Sequence, residues 1–349
     1  MPFSYEKYNN RHNANVLKYG KQLKQAYVEI INQAAKLGIQ LSLDVNGNLF
    51  FRGRISKKID RLILKLYEDV LGITISGINT EWDLAVEKNN ALALYVFGKD
   101  IQNLPRSLQM RYLSGNDLAR KNFVERKIKG LGLSDRVWNN SQQFRQELEL
   151  ALELGIGKGQ SAQSLAAEIK QYLNDPDKLF RRVRDEKGIL RLSQAAKAYH
   201  PGQGRYRSSY KNAFRLAAHE TNSSYEGSSF EKRKQQDFVV GVKIIVSPQH
   251  NPADDKNGIS CIDLQGMYPK DFDFTSKWHV RCKCTALDIR KTREELSKDI
   301  DNILAGGEPN TPSVNTVHKN PANFNQYVKE NEKKWKNWKN KPRFLVNYK

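Results

Sequence analysis

Along residues 21–38, KQLKQAYVEIINQAAKLG, apolar side chains fall at Leu23, Tyr27, Ile30, Ile31 and Ala34. That three- and four-residue spacing lines one face of an α-helix, and Gly38 supplies a stop. In SLDVNGNLFFRG the pair Asn46-Gly47 between apolar residues predicts a tight hairpin. Ser56 caps a helix with Ile59, Leu62, Ile63, Leu66 and Val70 on one face and Gly72 as its end; Thr80, with Asp83 reaching back, opens another, and Ser141 starts a further one. The segment GIGKGQSAQSLAAEIKQYL reads as a glycine-rich turn and a short helix carrying Leu165, Ile169 and Leu173; it lacks the spacing of a phosphate-binding loop.

The pattern changes after residue 200. YHPGQGRYRSS, with Pro201, Gly202 and Gly204, reads as a basic loop. Residues 208–236 then predict a long helix with Tyr210, Phe214, Ala217, Ala218 and Thr221 inward, and FVVGVKIIVS, 238–247, is the clearest strand. Thr292 and Glu295 form a capping box, and residues 309–324 read as a linker to a tail. The class predicted is α+β, predominantly α. Residues 1–150 form a helical region suited to docking, 151–305 a compact domain with a small sheet, and 306–349 a linker and a basic, aromatic tail.

Charge adds a partner to this picture. The chain has 349 residues, 58 Lys and Arg against 38 Asp and Glu, and a net charge of +20. Such a surplus implies an anionic partner, and with no apolar run long enough to cross a bilayer, nucleic acid is expected rather than membrane. The cations gather at Arg181, Arg182, Arg184, Arg205, Arg207 and Lys211, and again at Lys333, Lys334, Lys336 and Lys339. Tyrosines, Trp335 and Trp338 lie among them, able to stack on bases or to pack against protein. The start MPFSYEKYNN has no apolar leader, so no signal peptide is expected. Three cysteines exclude a disulfide framework and fit a reducing compartment.

Two of those cysteines lie in WHVRCKC, residues 278–284. Cys261, His279, Cys282 and Cys284 together offer the thiolate and imidazole donors of a structural Zn²⁺ site. Against this, a single residue separates Cys282 from Cys284, and in an extended strand alternation sends them to opposite faces. A hydrogen-bonded cluster of buried thiols without metal stands as the equal alternative.

From about residue 155 to 290 the chain resembles the phage Mu F-like head-morphogenesis family, the minor head proteins of tailed bacteriophages, especially forms carried by phages and prophages of Bacteroides-type hosts. Three blocks carry the resemblance: Arg215 with Glu220-Thr221-Asn222; His250, Cys261, Leu264, Gly266 and Tyr268-Pro269; and His279, Cys282 and Cys284. Val280 and Lys283 stand where the family has proline and arginine. The resemblance implies a compact F-like domain in a structural protein, found in the virion or the host bacterial cytoplasm. Its partners would be phage DNA, contacted without sequence preference, and the portal or other capsid proteins. Arg215, Glu220, Thr221, Asn222, His250 and Asp263 are expected to form a structural polar cluster, and no catalytic residue is expected. The alternative is a zinc-dependent nuclease or transferase-type toxin using the His/Cys/Glu residues.

Overall fold

The computed structural model describes residues 3–38, 42–43, 49–50, 53–156, 159–174, 182–184, 186–188, 190–192, 208–248, 250, 260–279, 282–337 and 341–346; for a few, both short hairpins included, this covers the backbone alone. In chain order the elements are helix α1 (Tyr5–Gly38), strands β1 (Ser42–Leu43) and β2 (Leu49–Phe50), and helices α2 (Gly53–Phe97), α3 (Arg106–Leu113), α4 (Asp117–Glu125), α5 (Leu133–Ile156) and α6 (Ala162–Asn174). Strands β3 (Arg182–Arg184) and β4 (Leu190–Leu192), helix α7 (Ser209–Gln235) and strands β5 (Val239–Ile245), β6 (Gly266–Tyr268) and β7 (Thr285–Arg290) follow. Helices α8 (Arg293–Leu304), α9 (Ala322–Glu330), α10 (Glu332–Lys336) and α11 (Arg343–Val346) end the order. The fold is α+β with helix predominating. Among the described residues no helix is long and apolar enough to cross a membrane.

Two compact units emerge, one of residues 1–17, 76–129 and 218–349, the other of residues 18–75 and 130–217. These interleaved segments cut across the division at residues 150 and 305 that the sequence suggests, because α1, α2 and α7 each contribute to both units.

The second unit is a helical body. Tyr27, Ile30, Ile31 and Ala34 of α1 are fully buried, as their spacing predicts. Tyr27 meets Phe144 of α5 edge-on at 4.9 Å and Tyr210 at 5.3 Å. The Glu147 carboxylate accepts from the Ser209 amide at 2.7 Å and hydroxyl at 2.6 Å, so a negative group sits at the first turn of α7, where the helix dipole favours it. Strands β1 and β2 pair antiparallel, Leu43 opposite Leu49; the turn predicted at Asn46-Gly47 lies outside the described residues.

Three predicted boundaries are corrected. Helix α2 runs uninterrupted through Gly72 and Thr80. Its apolar stripe continues through Val70, Ile78, Trp82, Ala85 and Leu92, all buried, and burial of that stripe outweighs the roughly 1 kcal/mol that an interior glycine costs. Ser141 is not a cap: it lies inside α5 and its hydroxyl turns back to the Val137 carbonyl at 3.2 Å.

The first unit holds the sheet, antiparallel in the order β6-β5-β7, with Val242 opposite both Tyr268 and Asp288 and Ile244 opposite both Gly266 and Ala286. Its inner face packs a cluster that includes Leu264, Phe272, Phe274 and Trp278. The expected linker and tail correct to an integral part of this core. The Thr311 and Val314 amides donate to Asp299 and Glu295 of α8, and the Val317 amide to the Val240 carbonyl at 3.2 Å. Phe324, Trp335 and Phe344 of α9 to α11 are buried, Phe344 meeting Trp278 edge-on at 5.0 Å. The large apolar area of these aromatics drives the docking; full burial of each is worth a few kcal/mol. The capping box at Thr292 and Glu295 is present with both of its hydrogen bonds.

Candidate functional site

Short turns, rather than regular elements, bring the cysteines and histidine together. Cys261 sits in a turn before β6, closed by Leu264 donating to the Ser260 carbonyl at 3.2 Å. Lys277, with φ of 49°, turns the chain so that its amide reaches the Phe274 carbonyl at 2.8 Å, and Trp278 drops into the aromatic core. The Cys282 amide then donates to the His279 carbonyl at 3.0 Å, which folds residue 282 back beside residue 279.

The ligand atoms of Cys261, His279 and Cys282 all lie within 4.8 Å of one another. Cys261 Sγ is 3.1 Å from His279 Nε2 and 3.7 Å from Cys282 Sγ. Two thiolates bound to one tetrahedral Zn²⁺ at about 2.3 Å stand about 3.8 Å apart, so the sulfur spacing fits such an ion. No disulfide joins the three cysteines, which are all buried, and His279 is half-buried. The trio can therefore hold a metal ion. Cys284 lies outside the trio, buried in the same core cluster as Cys261 and Cys282. Alternation does not divert it to a separate core.

The electrostatics favour one thiolate in the group. Burial alone would raise the Cys282 thiol, but hydrogen bonds from Cys261 and Cys284, with Lys277 and His279 nearby, hold it well below the usual thiol range. Hydrogen bonding to Cys282 and Cys284, and then burial, push Cys261 up. Lys277 anchors the arrangement: its Nζ donates to the Cys284 carbonyl at 3.2 Å and pairs with Glu226 of α7 at 3.4 Å.

Helix α7 presents a second concentration of buried polar groups. Glu220, fully buried, accepts from Arg126 at 2.8 Å. Asn222 Oδ1 meets His12 Nε2 at 2.9 Å, and the other nitrogen of His12 meets Glu81 at 2.5 Å. The hydroxyls of Ser224 and Ser228 donate to the carbonyls of Ile78 and Trp82, two pairs each one helical turn apart, because small side chains let the helices approach. Lys232 donates to the carbonyls of Tyr112 and Ser114, and Arg233 pairs with Asp288 at 2.8 Å. These partners engage many of the buried polar groups of α7 that would otherwise be costly, while Arg233 Nη1 and Gln235 Oε1 have no hydrogen-bond partner among the described residues.

The residues of the expected polar cluster lie in different surroundings. Glu220 and Asn222 find separate partners, Thr221 is buried, Arg215 belongs to the other unit, and Asp263 is exposed. His250 is half-buried, its amide bonded to the Ser247 carbonyl at 2.9 Å. Sequence reasoning missed Arg126, His12, Glu81 and Lys277, since partners remote in the chain leave no local spacing. The available signal was the run SSYEGSSFEKRK, too polar for the long helix that carries it.

Of the expected nucleic-acid contacts, Lys333, Lys334 and Lys336 are exposed around the buried Trp335, and Lys211 is half-buried on α7. Arg182 and Arg184 lie in β3, whose backbone alone is described. Arg181, Arg205, Arg207, Lys339, Trp338 and the loop at Pro201, Gly202 and Gly204 lie outside the described residues. Compared with known proteins, the chain matches no family model, no curated protein and no solved structure.

Proposed function

We propose that this chain is a structural minor head protein of a tailed phage or prophage, of the Mu F-like kind. In this role it contacts the genome through phosphates near the portal and aids head assembly, packaging or DNA delivery. The observation that carries the reading is the closed character of the Cys/His group beside a surplus of 20 positive charges: its thiols are at most 1% exposed. A catalytic metal keeps an open coordination position for water or substrate, whereas a structural one is closed by protein donors. Cys261, His279 and Cys282 would hold Zn²⁺, with Cys284 as the adjacent fourth donor, and the ion would supply folding free energy to a segment built from turns. Glu220, the acid a hydrolytic reading would need as base, is taken by Arg126.

The surplus cations then address DNA through counterion release, a force indifferent to base sequence. Titration of the purified full chain into duplexes of unrelated sequence tests this. Expected is retardation of each at similar concentration, with affinity falling at least about tenfold between about 50 and 200 mM salt. Binding that ignores salt, or metal-dependent cleavage of plasmid DNA, would overturn it.

A further inference from the structure

Among the described residues of the first unit, the buried cations divide by their partners. Arg126, Arg233, Lys277 and Lys291 each face a carboxylate, those of Glu220, Asp288, Glu226 and Asp299. Lys88 lies fully buried against the Ser229 hydroxyl and the Tyr225 ring, and Lys232 between two carbonyls. Lys270 differs from all of these. Its ammonium donates to the Gln236 carbonyl at 3.0 Å, no carboxylate pairs with it among the described residues, and it lines an open cavity of about 610 Å³. An ammonium carries three donors, so two remain for whatever enters.

Burial, and then the fields of Arg111, Lys291 and Arg233 against that of Asp288, push the Lys270 ammonium down to about 8. Asp237 and Asp271 also line the cavity; Arg111 and the Tyr112 hydroxyl engage Asp237. Lys234 and His318 line the wall too, the latter on the segment that Val317 ties to β5; a side chain at Gly241 would meet Val317 Cγ2 at 2.7 Å, so that wall closes tightly. A half-buried cation with no carboxylate paired to it among the described residues, open to solvent, is stabilised by an anion.

We propose that this cavity is a phosphate-binding site with Lys270 as its central donor. The phosphate comes either from a DNA backbone or from a free phosphate compound; its assignment to DNA rests on the function proposed above, while the site itself does not. Titration of inorganic phosphate into the full chain, followed calorimetrically at fixed ionic strength, tests the site. Lys270→Met keeps the apolar stem and removes the charge, so it should fold, and its melting temperature checks that. Expected is at least a tenfold loss of phosphate affinity in K270M and no loss in K298M, which removes the same charge from an exposed position outside the cavity.

Equal effects of the two substitutions, or no phosphate binding by the wild type, would overturn the proposal. Residue-resolved acylation of lysines then separates the sources: a short duplex that protects Lys270 as phosphate does identifies the backbone, and protection by phosphate alone identifies a free compound. If DNA is retarded while phosphate does not bind, this site falls and the DNA reading stands. If phosphate binds through Lys270 while DNA is not retarded, the reverse holds.

Discussion

Around Trp278 the described residues between Ser260 and Cys284 include three of strand and otherwise turns and irregular backbone, packed with Phe324 and Phe344. Along α7, from Glu220 to Gln235, the backbone is a continuous helix and the interior side chains are mostly serine, lysine, arginine and glutamate. The first region has apolar side chains and an irregular backbone; the second has a regular backbone and polar side chains. Each supplies from elsewhere what it lacks locally. Turns satisfy few backbone groups among themselves, so that region gains from cross-links such as a metal bound by Cys261, His279 and Cys282. The helix satisfies its own backbone, so its needs lie in partners drawn from α1, α2, α3, the residue that follows α4, and β7.

The comparison breaks first at the thiols. Cys282→Ser removes a member of the trio, and the expected fall in melting temperature, on the order of 10 °C or more, should exceed that of Cys284→Ser. Calorimetry of the two variants checks the order, and a larger loss from Cys284 would move the ligand set.

In the polar region the sign of the effect depends on how many partners are removed. Arg233→Met leaves Asp288 buried and unpaired, at an expected cost of about 3–5 kcal/mol; adding Asp288→Leu should restore much of it, as urea unfolding of the single and double variants will show. A similar pairing of substitutions at Cys261 and Cys282 should restore nothing, because a bound metal has no apolar substitute.

The smallest effect expected is in pH dependence. Burial lowers Lys232 from an ordinary value of 10.5 to about 8. Below about pH 8 folded and unfolded chains both hold its proton; between about 8 and 10.5 the unfolded chain holds more, so the contribution of this group to stability rises with pH. Urea midpoints compared at about pH 7.5 and 9.5 should rise less in Lys232→Met than in the wild type. An unchanged rise would mean that Lys232 is solvated in the folded state.

Legibility in the sequence followed the same divide. Periodicity marked the buried face of α1, the β-branched run marked β5, and the spacing of Thr292 and Glu295 marked the start of α8, because each is decided within one turn or strand. Gly72, Thr80 and Ser141 misled, since a glycine or hydroxyl residue stops or starts a helix only when no long-range packing continues it. The sequence reading assembled the four Cys/His donors but left metal and plain thiol packing level; the 3.7 Å sulfur spacing is a property of turns that bring Cys261 and Cys282 together across 21 residues. The ion pair between Arg126 and Glu220 spans 94 residues and lies beyond any local pattern. Net charge was fully legible, though which cations serve a ligand depended on knowing, as at Lys270, which have no carboxylate beside them.

The claim on which the account turns is that the thiol and imidazole donors close around a structural ion. Elemental analysis of the purified chain, with X-ray absorption at the zinc edge, tests it most directly. The account predicts about one zinc per chain, with sulfur at about 2.3 Å and nitrogen at about 2.0 Å. Protein that carries no metal and melts at the same temperature with and without a chelator would contradict it.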